Sequence, residues 1–370
     1  MKRVLTINAG SSSVRLALFG ETAGAVTRLA AMHRRRAEDA PADEILRAFL
    51  GGSTDRVSVA AHRIVHGGSR LVEPCRIDAD VEREIERLSA LAPLHNPPAL
   101  EWVRAARERL GDEVPAVAVF DTAFHARLPR EAASYALPRE LCERHGIRRY
   151  GFHGLAHQAM WRRWRELRPD LPDGGRVVSI QLGSGCSMTA IDRGQPRDTS
   201  MGFSPLEGLV MATRSGDLDP GCLTYLARNE GFAPDALDRM LNRESGLLGM
   251  SGRSADVSEL LGDSSDAARL AVEVYCHRAR KYLGAYLAVL GGADGVVFGG
   301  GVGEHVPEIR ARILERFAWC GLMLDGERNR SSVGAEARVS ADASRIDVWV
   351  VPVDEERVLA DAALEVTSRD

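Results

Sequence analysis

A strand, a tight turn of small residues and a second strand occur twice in this chain, in matching register. Arg3-Val-Leu-Thr-Ile-Asn-Ala-Gly-Ser-Ser-Ser-Val-Arg-Leu-Ala aligns without gaps on Arg176-Val-Val-Ser-Ile-Gln-Leu-Gly-Ser-Gly-Cys-Ser-Met-Thr-Ala. Asn8 falls on Gln181 and Gly10 on Gly183, both at an offset of 173 residues. A repeat on this scale restricts the fold more than any single motif, because each copy must open a structural unit of its own. At 370 residues the chain has room for two such units.

Between and after the hairpins, helical and strand patterns alternate. Asn96-Pro97-Pro98 reads as the cap and start of a helix to about Leu110. Val114 to Phe120 reads as a buried strand ending at Asp121. Helical spacing recurs over Gly154 to Leu167, Asp266 to Leu290 and Pro307 to Phe317. Val296 to Phe298 is a strand pattern running into Gly299-Gly300-Gly301-Val302-Gly303, and Val348 to Val353 precedes a last helix capped by Asp354. The polar stretch Arg328 to Ala343 reads as a surface loop. This alternation behind hairpin-led halves predicts α/β domains around a ligand cleft.

Composition removes several function classes. Hydrophobic residues make up 45% of the chain and charged residues 27%, which argues against general disorder. A net charge of −4 excludes a broad surface for nucleic acid. No apolar run reaches the ~18–20 residues that span a bilayer, so no membrane partner is expected. The N-terminus reads as a strand rather than a signal peptide. The six cysteines form no CxxC pair and fit reduced thiols in a cytoplasmic protein. Lysine occurs only at Lys2 and Lys281, and no GxxxxGK[ST] exists, so a P-loop is excluded.

Phosphoryl transfer needs main-chain amides around an anion, cations for the equatorial oxygens and oxygen ligands for a metal. Three Gly/Ser turns follow strands, at Gly10 to Ser13, Gly183-Ser184-Gly185 and Gly299 to Gly303. Small residues there let N–H groups approach a phosphate. His62-Arg63-Ile64-Val65-His66-Gly67-Gly68 reads as strand then turn. Its two histidines are therefore a poor zinc pair, and Arg63 is the group suited to a carboxylate or phosphate. Asp121 at the carboxyl end of its strand is placed for a ligand or for a helix cap. His153 lies between Gly151-Phe152 and Gly154, where a structural histidine is the usual reading of the residue alone.

Taken together, the ordered motifs resemble the acetate kinases, within the superfamily of acetate and sugar kinases, Hsc70 and actin. The resemblance covers nearly the whole chain. It is carried by Asn8 to Ser13, His62 to Gly68, Leu91 to Pro98, Phe120 to His125, Tyr150 to Gly154, Asp198 to Gly208, Thr213 to Gly216, Ser245 to Gly249 and Gly301 to Glu304. It implies two actin-like (ribonuclease H-like) domains of similar topology flanking a nucleotide cleft, drawn here as 1–121 plus 356–370 and 122–355. It implies Mg²⁺- or Mn²⁺-dependent, reversible transfer of the ATP γ-phosphoryl group to acetate, giving acetyl phosphate and ADP, by a homodimer. By position, Asn8 and Glu355 match the family's metal-associated residues. Arg63 and Arg214 match its active-site arginines, Asp121 its catalytic aspartate and His153 its transition-state histidine. Asp121 would either hold the metal through water or orient an arginine. The acyl methyl pocket would be Val65, Leu94, Phe152 and Pro205. Nucleotide contacts would come from Ser12, Gly183, Ser184, Gly185, Gly300, Gly301 and Gly303. The second phosphate turn departs from the family, which usually reads His-Leu-Gly-Asn-Gly where this chain has Gln181-Leu182-Gly183-Ser184-Gly185; His305 and Ser69 are further departures. The rivals are a propionate or butyrate kinase, a sugar or polyol kinase with Asp121 as general base, and an actin-like module that only binds ATP.

Overall fold

The computed structural model describes residues 1–10, 13–35, 41–51 and 57–369. Its internal contacts divide the chain into two units, Met1–Ala126 with Asp354–Asp370, and Arg127–Val353.

The first unit is built on a six-stranded sheet in the order β3 (Ala25–Arg35), β2 (Ser13–Thr22), β1 (Lys2–Ala9), β4 (Val59–Ile64), β6 (Ala116–Phe120), β5 (Cys75–Arg76). β1 is antiparallel to β2 and parallel to β4. Its Val4, Leu5, Thr6 and Ile7 are all buried, as expected of a central strand covered on both faces. Leu5, Ile7, Val14 and Leu16 share one core with Ile45, Leu46 and Trp102 from the helices Ala42–Leu50 and Asn96–Leu110. A second core joins Ile64, Ala118 and Phe120 to Leu100 and Val103 of the latter helix. The helix Glu355–Ser368 packs on β1 and β4. Asp354 caps it by accepting a hydrogen bond from the N–H of Arg357.

The second unit repeats this plan. Its sheet runs β9 (Gln195–Thr199), β8 (Cys186–Asp192), β7 (Arg176–Leu182), β10 (Gly295–Gly299), β12 (Asp347–Val350), β11 (Ala337–Arg338). β7 is antiparallel to β8 and parallel to β10, as β1 is to β2 and β4. The helix Gly154–Leu167 packs on β7, and Asp266–Leu290 packs on β8. The two six-stranded α/β sheets share one topology, as the repeat implied.

The gapless match of the two hairpins holds for the first strand and fails for the second. Asn8 pairs with Arg15 across β1 and β2, but Gln181 pairs with Ser187 across β7 and β8. The second turn is one residue shorter, so Ser187 occupies the place of Arg15 rather than of Val14. Because strand side chains alternate, this shift moves each aligned residue of the second strand to the opposite face.

Two further expectations change. Arg328 to Ala343 is not a loop throughout: it holds part of the helix Gly326–Ser331 and the strand β11, with Asn329, Val339 and Ser340 buried. Arg310, a fully buried guanidinium, draws in the oxygens of Asn329 and Ser332, while β11 is ordered by antiparallel pairing with β12. Asn96 does not cap its helix; its side chain turns to the backbone of His66.

Candidate active site

In the first unit, five polar side chains form one hydrogen-bonded cluster. The strand β4 carries Arg63 at its end, and β6 delivers Asp121 immediately after Phe120. Asp121 Oδ2 accepts from Arg63 Nε at 3.0 Å and Nη2 at 2.6 Å. Arg63 Nη1 donates to Asn8 Oδ1 at 3.0 Å. The amide of Asn8 then donates through Nδ2 to Glu355 Oε2 at 2.7 Å and Glu356 Oε1 at 3.1 Å. Burial opposes the charge on Arg63, but Asp121 and Glu355 outweigh it and raise the pKa above the ordinary arginine value. Burial and the like charge of Glu355 both raise the pKa of Glu356.

A neighbouring clamp shapes the loop that holds Val65. Asn96 accepts from His66 N–H at 3.1 Å and donates to His66 O at 3.1 Å. This ties the segment after β4 to the start of the Asn96–Leu110 helix. Val65 is buried and Leu94 is exposed on either side of the clamp. Ser12 lies outside the described residues.

In the second unit, the residues gather at the β7–β8 turn. The turn closes by a hydrogen bond from Gly183 N to Gly185 O at 3.0 Å, and Ala212 N donates to Ser184 O at 3.1 Å. A methyl group on Gly185 would stand 3.1 Å from Arg214 Nη2 and 3.1 Å from His153 Cε1, so the arginine and the imidazole meet at this glycine. His153 sits in the left-handed region at φ 57, just before the helix Gly154–Leu167, a conformation uncommon outside glycine and often tied to function. Its Nδ1 is 2.9 Å from Ser187 Oγ. Arg214 donates to Pro205 O at 2.7 Å and makes no ion pair among the described residues. Burial lowers its pKa, only partly countered by Cys186. Phe152 is buried beside His153.

The third glycine cluster lies where β10 meets the short helix Gly300–His305. Gly300 needs φ 78, and a side chain there would strike Leu182 O at 2.6 Å. A side chain on Gly301 would meet open space. Glu304 Oε1 accepts from Gly300 N at 2.8 Å and from Val353 N at 3.1 Å. Gly303 O accepts from Arg310 at 2.8 Å, so a buried cation lies at the carboxyl end of this helix. Gln181 Nε2 lies near Gly300, and its Oε1 is buried without a hydrogen-bond partner among the described residues.

Several contributors were not singled out from sequence: Glu356, Asn96, Ser187, Ser179 and His157. The doublet Glu355-Glu356 and the i, i+4 pair His153 and His157 were visible signals. The serines carry no such signal, because only the strand pairing places them.

Comparison with known proteins assigns the architecture. Residues 24–361 match the Acetokinase family. The acetate kinase of Chloroherpeton thalassium is 46% identical over 313 residues, 83% of this chain and 75% of that protein. The acetate kinase of Pseudarthrobacter chlorophenolicus is 43% identical over 382 aligned positions, 98% of each chain. The crystal structure of Porphyromonas gingivalis acetate kinase superposes with a TM-score of 0.89 at 34% identity, covering 99% of this chain and 100% of that one. A propionate kinase from Francisella tularensis gives the same TM-score, identity and coverage. A two-unit α/β fold carrying glycine-rich turns and arginine–histidine groups is thus that of a carboxylate kinase. The chain belongs to the acetokinase family.

Proposed function

We propose that this chain is an acetate kinase that moves the γ-phosphoryl group of ATP directly onto the carboxylate of acetate, reversibly and with Mg²⁺ or Mn²⁺. One observation carries the reading: Arg214, a cation without a carboxylate partner among the described residues, meets His153 at the Gly183-Ser184-Gly185 turn. An uncompensated cation beside an imidazole suits a doubly charged phosphoryl group.

Acetate is already ionised, so the reaction needs no strong base; the difficulty is bringing two anions together. Arg63 and Arg214 neutralise that repulsion, and His153 donates a hydrogen bond to the equatorial oxygens. Asp121 orients Arg63, since its Oδ2 already takes two N–H groups of that arginine. The same contact argues against Asp121 as general base for a sugar hydroxyl. Val65, Leu94, Phe152 and Pro205 are assigned to the acyl methyl. Ser12, Gly183, Ser184, Gly185, Gly300, Gly301 and Gly303 are assigned to the nucleotide.

The residues fit a magnesium ion that arrives with the nucleotide. Among the described residues no three His, Cys, Asp or Glu side chains gather into a metal cage. Glu355 and Glu356 are hard oxygen donors whose mutual repulsion a dication relieves, and Asn8 Oδ1 keeps a second lone pair. One or two carboxylates completed by phosphate oxygens and water is the usual magnesium arrangement. When bound, the ion screens the phosphate charge during transfer.

The test is acyl phosphate formation from acetate and ATP, trapped as the hydroxamate. Arg214→Ala and His153→Ala should each fold and lose ~3–4 kcal/mol of transition-state stabilisation. Unchanged rates in both would refute the reading. Propionate is the second candidate acid, favoured by the likeness to the Francisella enzyme. Because one methylene is worth only ~1–3 kcal/mol, the ratio of kcat/KM for acetate, propionate and butyrate decides between them. A homodimer in the cytoplasm is inferred from the family resemblance, and light scattering that returned a single-chain mass would overturn the dimer.

A further inference from the structure

We propose that Ser179, His157 and Ser187 form a one-directional hydrogen-bond relay that fixes His153 as the tautomer carrying its proton on Nε2. The inference rests on the reading of His153 as the hydrogen-bond donor to the transferred phosphoryl group.

The relay is a product of two regular elements lying face to face. His153 and His157 are four residues apart, so their rings emerge one above the other at the start of the Gly154–Leu167 helix. In the hairpin beneath, Ser179 pairs with Thr189 and Gln181 with Ser187, which sets Ser179 and Ser187 on the same sheet face. The contacts then run in series. Ser179 Oγ is 2.6 Å from His157 Nδ1, His157 Nε2 is 2.8 Å from Ser187 Oγ, and Ser187 Oγ is 2.9 Å from His153 Nδ1. His153 Nε2 lies 3.2 Å from where a side chain on Gly185 would stand, so it faces the phosphate turn.

Counting protons gives the direction. A hydroxyl has one hydrogen, so Ser187, which touches both rings, donates to one and accepts from the other. Ser179 is buried, and its hydroxyl makes no other hydrogen bond among the described residues. Its proton therefore goes to His157 Nδ1, because a buried donor left unmatched costs ~1–3 kcal/mol. His157 then carries its own proton on Nε2 and gives it to Ser187. Ser187 in turn donates to His153 Nδ1. The only proton position left on a neutral His153 is Nε2, the atom that faces the turn. Run backwards, the relay would strand the Ser179 proton and present a lone pair to an anion. Ser179, His157 and Ser187 are thus positioning residues that act through His153.

The experiment combines the imidazole ¹⁵N spectrum of the full-length protein with kinetics, His153→Gln assigning the His153 resonances. At about pH 8, wild type should show His153 protonated at Nε2. Ser187→Ala should give a mixture of tautomers. It should also lower kcat about 10- to 100-fold, with KM for acetate and ATP within about threefold, the size of one lost acid–base contribution. Ser187→Thr, which keeps the hydroxyl, should recover most of the rate. If Ser187→Ala does not fold, Ser179→Ala tests the same relay one link away and should change the His157 tautomer. A wild-type Nδ1–H tautomer, or a His153 spectrum unmoved in the folded Ser187→Ala variant, would overturn the relay. A shifted tautomer with unchanged kcat would uphold the relay and instead overturn the role assigned to His153.

Discussion

Asp121 holds Arg63 side-on through a single oxygen, Oδ2, which takes Nε and Nη2 and leaves the guanidinium's third nitrogen for Asn8. One planar group thus meets a carboxylate and an amide at once, a geometry an ammonium cannot copy. Arg63→Lys should therefore fold but lose at least about 100-fold in kcat/KM, equivalent to ~2.7 kcal/mol. Asp121→Asn should lose a similar amount without creating a sugar kinase. Hydroxamate trapping with acetate, run beside a glucose phosphorylation assay, checks both.

Gly185 and Gly202 separate function from folding. Gly185 has ordinary backbone angles, and an added methyl would press on Arg214 and His153 at 3.1 Å, a few tenths of an ångström too close. Gly185→Ala should melt within a few degrees of wild type while losing most of its activity. A methyl on Gly202 would fall 1.7 Å from Glu207 Oε2 and 2.0 Å from the Tyr135 hydroxyl. Those side chains are held by each other and by Arg149, so Gly202→Ala should accumulate as insoluble protein. Thermal melts and solubility on expression distinguish the two.

Three buried histidines of the first unit make it sensitive to acid. Burial lowers the pKa of His62 to about 3, with help from Arg107, of His66 to about 4 and of His125 to about 3. His66 Nδ1 accepts from Gly68 N–H at 2.9 Å, in keeping with a neutral ring. In the unfolded chain these groups take up protons below their ordinary value of 6.5. Stability is therefore complete above pH 6.5 and falls as pH drops toward 4. Each histidine contributes ~1.4 kcal/mol per pH unit across that window. Urea midpoints measured across it should fall steadily. Neither His62 nitrogen has a hydrogen-bond partner among the described residues, so His62→Leu should raise the midpoint at neutral pH and flatten the slope by one proton.

Arg310 secures the helix that begins with Gly300. It is fully buried and, among the described residues, meets only neutral acceptors: Gly303 O, Glu304 O, Asn329 Oδ1 and O, and Ser332 O. Burial holds its pKa down to about 10, so it is still charged at neutral pH. Arg310→Lys cannot reach all five oxygens and should cost ~3 kcal/mol of stability. If the Gly300–Gly303 segment serves the nucleotide, KM for ATP should rise while KM for acetate stays nearly constant. Steady-state kinetics with each substrate varied in turn provides the check.

What could be read from sequence was local. The strand-turn-strand copies, the Asp354 cap and the long helix from Asp266 to Leu290 follow from periodicity and turn chemistry within a few residues of chain. Arg63, Asp121, Arg214 and His153 stood out because each lies inside a dense motif. The pairing of Arg63 with Asp121 was not legible, since 58 residues separate them and two parallel strands must align first. Ser187 was hidden by the one-residue difference between turns, which gapless matching conceals. Arg328 to Ala343 looked like loop because Asn329 and the Ser332 carbonyl are bound by Arg310, a partner that no window of local sequence contains.

The helix Glu355–Ser368 belongs to the first unit but follows the entire second unit in the chain. During synthesis, the strands beginning at Lys2 emerge early and then wait, with the side of β1 and β4 that this helix covers still bare. The second unit is continuous and can complete itself in the interval, since domains generally fold as units. Glu355 and Glu356 reach Asn8 only at the end, so a nascent chain stalled before Asp354 carries an apolar sheet face of the kind that chaperones bind.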